Sequence, residues 1–381
     1  MLGRDLKISL RSLLLMIYIF LLNGFYTLSG SVSFNRSIKF ILTMCIIVGI
    51  VKILVGLRLK VYPDLLLIGI SFILVLVFYS HNSDTRLAVA ILTMICFLYD
   101  DIQEVITYFF YSKLFFYIIV LLTGGYGHIN GIALHGGIIL LLYICKLDKG
   151  LKWINILIVL IGFLGIVLYT DSGSAKIAMV STIILVVLVK LKKLKWLYKS
   201  KIITFSYPIA MFINFYCAKS ISLGGKMPFI GNILPERINS CFFELVVFLD
   251  KVTTSRLTLA SYSLNNFGIS LWGNNVDYSI LNLGYGGYFN LDSGFMWLLQ
   301  GWGIFMTVIF CIMTVYMMIY FIRNEKYNYV VAGIVIALWG INEDMILSVG
   351  TNFLLVFMLK SMSDYLNKNK KFKRSTIKRM A

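Results

Sequence analysis

The chain has 381 residues, of which 59% are hydrophobic, 15% aromatic and only 14% charged, with a mean hydropathy of +0.87. A soluble domain of this size has no interior able to hide so much apolar surface. Apolar runs of about 20 residues recur throughout, the length a helix needs to cross a bilayer. The net charge of +18 does not indicate nucleic acid, because the basic residues sit in short connections and in the tail KNKKFKRSTIKR, with no soluble basic domain to carry them. Such clusters orient membrane spans and touch anionic head groups. The six cysteines (Cys45, Cys96, Cys145, Cys217, Cys241, Cys311) fall mostly inside apolar runs without a CxxC pair, which argues against a cysteine-held metal. Cys217 and Cys241 can pair if both face an oxidising compartment; core or interfacial thiols are the other reading.

In chain order the predicted spans are 13–29, 38–56, 62–79, 85–99, 103–123, 131–146, 152–170, 175–191, 202–217, 293–322, 328–348 and 350–366. The first is followed by more spans rather than by a cleavage site, so no removable signal peptide is expected. The fold class is therefore all-α, a polytopic membrane protein of about twelve helices. Residues 1–217 hold the first nine, 218–291 form one large external loop, 292–366 hold the last three, and 367–381 are a basic tail. Loops above about 15 residues are uncommon and often functional, which draws attention to 218–291. Residues 291–303 are expected to dip into the membrane before the tenth span, since Gly294, Gly301 and Gly303 loosen a helix there. With both termini inside, the short outer connections carry only Arg36, Lys39, Arg86 and Lys176, and the remaining basic clusters fall inside, as the positive-inside rule requires. The segments GGYGHING, TDSGSAK, the long loop, FNLDSG and GINEDM then all face outward. No internal repeat of the kind that marks many transporters is evident.

Within the loop, Leu257, Ala260, Leu264 and Phe267 recur at helical spacing and predict a surface amphipathic helix, capped by Thr254 or Ser255. Arg256 falls in its first turn, where backbone amides favour an anion and a guanidinium can clamp phosphate. A lipid-phosphate anchor uses the same features. Arg237 follows Glu236 and either pairs with it or adds to the phosphate site. Ser172 and Ser174 read as helix caps, with Lys176 close enough in sequence to help hold an oxyanion. His128 and Asn130 stand in a Gly-rich bend at a membrane boundary. Asp292 and the pair Glu343–Asp344 are carboxylates at or within spans, where an ionisable group is costly and marks a candidate functional position; Asp292 also suits a helix cap. Trp272, Tyr278 and Tyr288 can stack on sugar rings, although an interfacial aromatic belt uses the same residues.

These outward residues, taken together, resemble the bacterial repeat-unit polymerases of O-antigen and capsular polysaccharide assembly (Wzy-type). The likeness covers the topology and the order of motifs: GHING, TDSGSA, SRLTLASYSLNNFGISLWG, NLDSGFMWLLQGWGIF and GINEDM. It departs at Ile129, where the family usually has Pro, and at Ala175 and Lys176, near a position where Arg is frequent. The resemblance implies transfer of a growing glycan from undecaprenyl diphosphate to a hydroxyl of an incoming lipid-linked repeat, on the outer face of the bacterial cytoplasmic membrane, without cofactor or metal. Arg256, Arg237, Lys176 and Ser172 would bind the diphosphate. Glu343, Asp292 or His128 would act as base, and Trp272, Tyr278, Tyr288 and Asn130 would hold glycan. Implied partners are membrane lipids, a chain-length regulator and a flippase. An O-antigen ligase, or a non-enzymatic lipid-linked-sugar flippase, would share much of this pattern; for the latter, Lys113 is the main mid-span charge.

Overall fold

In a computed structural model of the chain, the described residues are 10–29, 37–56, 62–81, 85–191, 201–276 and 291–367. They form helices joined by turns. The helices are α1 (Leu10–Leu28), α2 (Ile38–Gly56), α3 (Tyr62–His81), α4 (Thr85–Cys96), α5 (Ile102–Leu122), α6 (Ile129–Leu147), α7 (Trp153–Thr170), α8 (Gly173–Lys190), α9 (Ser206–Ser222), α10 (Glu236–Val252), α11 (Arg256–Phe267), α12 (Gly294–Arg323), α13 (Tyr327–Trp339) and α14 (358–367). Seven of them, α1, α2, α5, α6, α7, α8 and α12, are long and apolar enough to cross a membrane, and α3, α4 and α13 contain shorter apolar stretches. Large apolar side chains such as Phe40, Leu54, Phe72 and Leu168 are exposed on their outward faces. A helix apolar on both its packed and its outward face suits a lipid surround.

Sequence explains where the helices start and stop. Asp101 accepts the Gln103 and Glu104 N–H groups at 2.8 and 3.0 Å, capping α5. Inside the bundle α1 packs on α5 and α2, α13 packs on α8 and α9, and α11 lies against α9. Trp339, Tyr18, Tyr207 and Tyr329 are fully buried in the common core. Asn328 ties α13 to the end of α6 through the Ile144 and Asp148 carbonyls.

The structure corrects two expectations. The stretch 218–291 is not one loop: α9 runs on to Ser222 and α10 occupies Glu236–Val252, while α11, Arg256–Phe267, is the helix that the spacing of Leu257, Ala260, Leu264 and Phe267 predicts. Nor does the span predicted over 328–348 stay helical. Its helix ends at Trp339, and 340–352 is a buried, helix-free stretch before the 3₁₀ turn Phe353–Phe357 that leads into α14. Buried backbone outside a helix needs internal partners. Asn214 Nδ2 donates to the Ile341 carbonyl at 3.1 Å, Thr351 to Met345 at 3.0 Å, Asn352 to Ile346 at 2.9 Å, and Lys113 Nζ to Gly350 at 2.7 Å. Each is a side chain filling a place that a helical N–H would have taken.

The expected irregularity at 291–303 takes the form of a π turn. A single helical turn, Gly294–Trp297, passes into the π turn Leu298–Trp302, and Gly303 restarts the helix at φ +78. A Cβ at Gly303 would stand 2.2 Å from the Gly273 nitrogen. Only glycine lets the strap 268–274 come this close. The strap is fixed by Asn274 N–H on the Gln300 carbonyl (2.7 Å) and by the Ile304 and Phe305 N–H groups on Ser270 and Leu271 (both 3.1 Å).

Candidate functional site

The C-terminal end of α9, the turn between α10 and α11, and the starts of α8 and α12 meet at one end of the bundle. At the start of α8, Ser172 is extended and its Oγ accepts the Ala175 N–H at 3.4 Å. Ser174 lies 3.1 Å from that oxygen and donates to Oε1 of Glu343 at 2.5 Å. A Cβ on Gly173 would come within 2.8 Å of the Val252 carbonyl oxygen, so the end of α10 rests directly on the start of α8.

Beyond α10 the chain reverses through Thr254 and Ser255, both at positive φ (+55 and +64). Neither caps α11 as expected; Ser255 holds the cap position without a side-chain bond. Asp250, from the last turn of α10, takes that role, accepting the Thr258 N–H at 3.0 Å and its hydroxyl at 2.5 Å. A carboxylate is well placed there, because the helix start carries partial positive charge. The turn sends Arg256, the first residue of α11, inward.

Arg256 is shared between two carboxylates. Its Nη1 lies 2.7 Å from Glu343 Oε1 and its Nη2 lies 3.6 Å from Asp292 Oδ2. The nearer contact is an ion pair in which no Nη1 hydrogen is aligned on an acceptor, so the guanidinium does not form the two parallel bonds of a fork on one carboxylate. The Arg256 and Glu343 side chains are 8% and 11% exposed, whereas Asp292 is 30% exposed. Burial pushes the Asp292 carboxyl above its ordinary range, and the nearby Arg256 and His128 pull it partly back. Asn214 of α9 sets the spacing: its Oδ1 accepts the Ser293 hydroxyl at 2.8 Å while its Nδ2 holds Ile341. Ser293 also caps α12 through the Met296 N–H at 3.4 Å. The Gly294 N–H is shared between the Gly340 and Glu343 carbonyls, at 3.2 Å each. Asp292 and Glu343, distant in sequence, are thereby fixed to one frame.

Of the residues singled out by sequence, Arg256, Asp292 and Glu343 come together, and Ser172 joins them through Ser174. His128 is exposed at the start of α6, within electrostatic reach of Asp292, and Asn130 is half-buried in the same first turn. Trp272 packs on Phe305 with ring centroids 5.1 Å apart, beside the π turn. Two basic residues are not brought in. Arg237 is exposed on the first turn of α10, and Lys176 pairs at 2.6 Å with the largely exposed Asp171. Tyr278 and Tyr288 lie outside the described residues. Asn214 escaped sequence reading because one polar residue in an apolar run carries no pattern.

A second charged pair stands next to the first. Arg86, in the first turn of α4, lies 2.8 Å from Asp344 Oδ2, and its guanidinium carbon sits 3.5 Å from the ring centroid of Trp297 in α12. Adjacent carboxylates in 340–352 thus each hold an arginine from a different helix. Compared with family models, curated proteins and solved structures, the chain matches none of them.

Proposed function

We propose that the protein is a membrane glycosyltransferase that polymerises lipid-linked oligosaccharide repeat units into O-antigen or capsular polysaccharide on the outer face of the bacterial cytoplasmic membrane. The observation that carries this reading is the buried guanidinium of Arg256 held between Glu343 and the more accessible Asp292. An anionic leaving group needs a fixed cation, and a hydroxyl nucleophile needs a base within reach. In this reading α1–α9 and α12–α14 make twelve crossings, and α10 and α11 lie outside. The opposite end of the bundle supports that orientation, since Arg11 and Lys52 pair with Asp100 there, Lys326 pairs with Asp148, and Lys146 stands in the last turn of α6.

The exposures divide the roles. Asp292 is the carboxylate an incoming hydroxyl meets first. The hydroxyl oxygen attacks the anomeric carbon, its proton passes to Asp292, and the bond from that carbon to the diphosphate oxygen breaks with its electron pair moving to the diphosphate. Protonated Asp292 no longer attracts Arg256, so the guanidinium becomes available as charge develops on the leaving group. Glu343 and Ser174 keep Arg256 in place throughout. Attack opposite the leaving group inverts the anomeric carbon. Ser172 lies at the same edge for diphosphate, and Trp272, Asn130 and His128 line the approach for glycan. A chain-length regulator and a flippase are the expected partners. A flippase identity is less well supported, because Lys113, the main mid-span charge, donates to a backbone carbonyl.

Deleting the gene in its host and resolving the surface glycan on a gel tests the proposal. Collapse of the ladder to a single capping repeat is expected. Loss of all glycan from the lipid core, with lipid-linked polymer accumulating, would make it a ligase, and an unchanged ladder would remove both.

A further inference from the structure

The loop 223–235, between α9 and α10, turns its largest side chains out of the protein. Phe229 is 80% and Ile233 83% exposed, and Ile230 is exposed beside them. The loop is nonetheless firmly built. The Ile230 and Gly231 N–H groups donate to the Pro228 and Met227 carbonyls, both at 2.8 Å. Asn239, in the first turn of α10, accepts the Met227 N–H at 3.1 Å and donates from Nδ2 to the Gly231 carbonyl at 2.8 Å. Phe229 is held at φ +68, a conformation that bulky residues rarely adopt. A fixed loop that keeps a strained phenylalanine in the open marks an interaction surface.

Tyr216 shows where that surface lies. On α9 and the turn before it, Phe205, Ile209 and Phe212 are exposed at helical spacing. Tyr216 continues this stripe, its ring 5.4 Å from that of Phe212, and its hydroxyl donates to the Pro228 carbonyl at 3.1 Å. At about 1.5 Å rise per residue Tyr216 stands roughly 9 Å short of Ser222, and side chains on a helix lean toward its N-terminus. The loop is therefore drawn back beside the last turns of α9, on the side where that helix is apolar and outward-facing. Phe242 of α10 packs on Tyr216 at 5.5 Å, and Ile238 and Leu245, one turn before and after it, are exposed. Lys226 and Arg237 stand exposed at the two ends of the loop.

We infer that residues 227–234, with the Ile238 and Leu245 edge of α10, insert into the outer leaflet of the membrane. Acyl chains cover Phe229, Ile230 and Ile233, while Lys226 and Arg237 lie among the head groups. Bilayer is the occupant that the geometry selects, because the patch continues the outward apolar stripe of α9 at the depth set by Tyr216. The inference needs α9 to cross the membrane with its C-terminal end outward; it does not rest on the transfer reaction. The far end of α10 caps α11 through Asp250 and rests on the start of α8 at Gly173. An anchored α10 therefore holds the turn into Arg256 at a fixed height relative to the membrane surface.

The test uses full-length protein with Cys241→Ser as parent and blank, reconstituted in nanodiscs of phosphatidylcholine and phosphatidylglycerol. A nitroxide is attached in turn at Phe229→Cys, Ile233→Cys and Ser240→Cys, all exposed positions, with size-exclusion profiles checking that each variant is folded. Its collisions with oxygen, which partitions into acyl chains, are compared with those with a water-soluble nickel chelate. Oxygen should dominate at 229 and 233, and the order should reverse at 240. Dominance of the chelate at 229 and 233 would place the loop in water and overturn the inference. Exclusion of both reagents with spin–spin broadening would make the patch a contact between two copies, and exclusion without broadening would bury it against this chain; either overturns the inference. If the loop sits in acyl chains but deleting the gene leaves the glycan ladder unchanged, the anchor stands and the polymerase reading falls.

Discussion

Arg256, the first residue of α11, and Glu343, in the helix-free stretch after α13, meet at 2.7 Å with side chains 8% and 11% exposed. A pair this buried is costly to break from one side, because the survivor keeps its charge without its partner. Arg256→Gln or Glu343→Gln alone should each destabilise the protein by about 3–5 kcal/mol. The double variant should lose clearly less than the sum, since it buries two neutral amides. Thermal unfolding of the four proteins in one detergent measures the coupling, and strict additivity would mean that the pair does not interact as the geometry says.

Asp292 is predicted to govern the acid side of the pH profile. Burial raises its carboxyl above the ordinary value, with Arg256 and His128 opposing. As pH falls through that raised value Asp292 takes up a proton and can no longer accept one from a hydroxyl. Transfer should therefore decline on the acid side at a higher pH than an ordinary carboxylate, of pKa about 3.9, would give. Asp292→Asn should lower transfer by about 10²- to 10⁴-fold and abolish that limb. The stability sign runs opposite: a raised folded-state pKa makes the fold lose stability as pH rises from the ordinary value through the raised one, and the Asn variant should show a flatter dependence. An acid limb unchanged in the variant would assign the proton to another group.

The three cluster residues were legible in the sequence because charges are rare in this chain, and the apolar runs placed most helices to within a few residues. What the sequence concealed was long-range. Residues 340–352 have the composition of a span, and their helix is lost to competing bonds from Asn214 of α9 and Lys113 of α5, joined by Asn352 within the stretch itself. The cap of α11 came from Asp250 rather than from Thr254 or Ser255 because a positive-φ turn moved the neighbours aside, which no local pattern announces. In the sequence Lys176 and Arg237 stand beside Arg256 as candidate diphosphate ligands, with Arg256 set apart by its place in the first turn of a helix. Their exposure on helix first turns distinguishes them, and that is set by packing.

The orientation can be checked with one thiol. Cys241, on α10, is exposed, whereas Cys45, Cys96, Cys145 and Cys217 are buried and Cys311 is partly so. A membrane-impermeant maleimide should label Cys241 in right-side-out vesicles and not in inverted ones, with Cys241→Ser as the blank. Labelling only in inverted vesicles would put α10 and the cluster on the cytoplasmic face and exclude an outward polymerase.

Lys113 provides a test of how the helix-free stretch is held. It is fully buried in α5, and its Nζ donates to the Gly350 carbonyl at 2.7 Å. Lys113→Met keeps the length and packing of the stem but removes the donor. Two effects then oppose each other. An orphaned buried carbonyl costs about 1–3 kcal/mol, while removing a buried cation relieves a desolvation penalty of several kcal/mol. Global stability should change little for that reason. The local effect has no such offset, because Gly350 loses the bond that reaches it from α5. Amide exchange within 340–352 should accelerate while that of α5 and α13 stays slow, and transfer should fall because Glu343 no longer holds Arg256 in register. A marked fall in global stability, or unchanged exchange in 340–352, would show that Lys113 supports the bundle at large and not the stretch that carries Glu343.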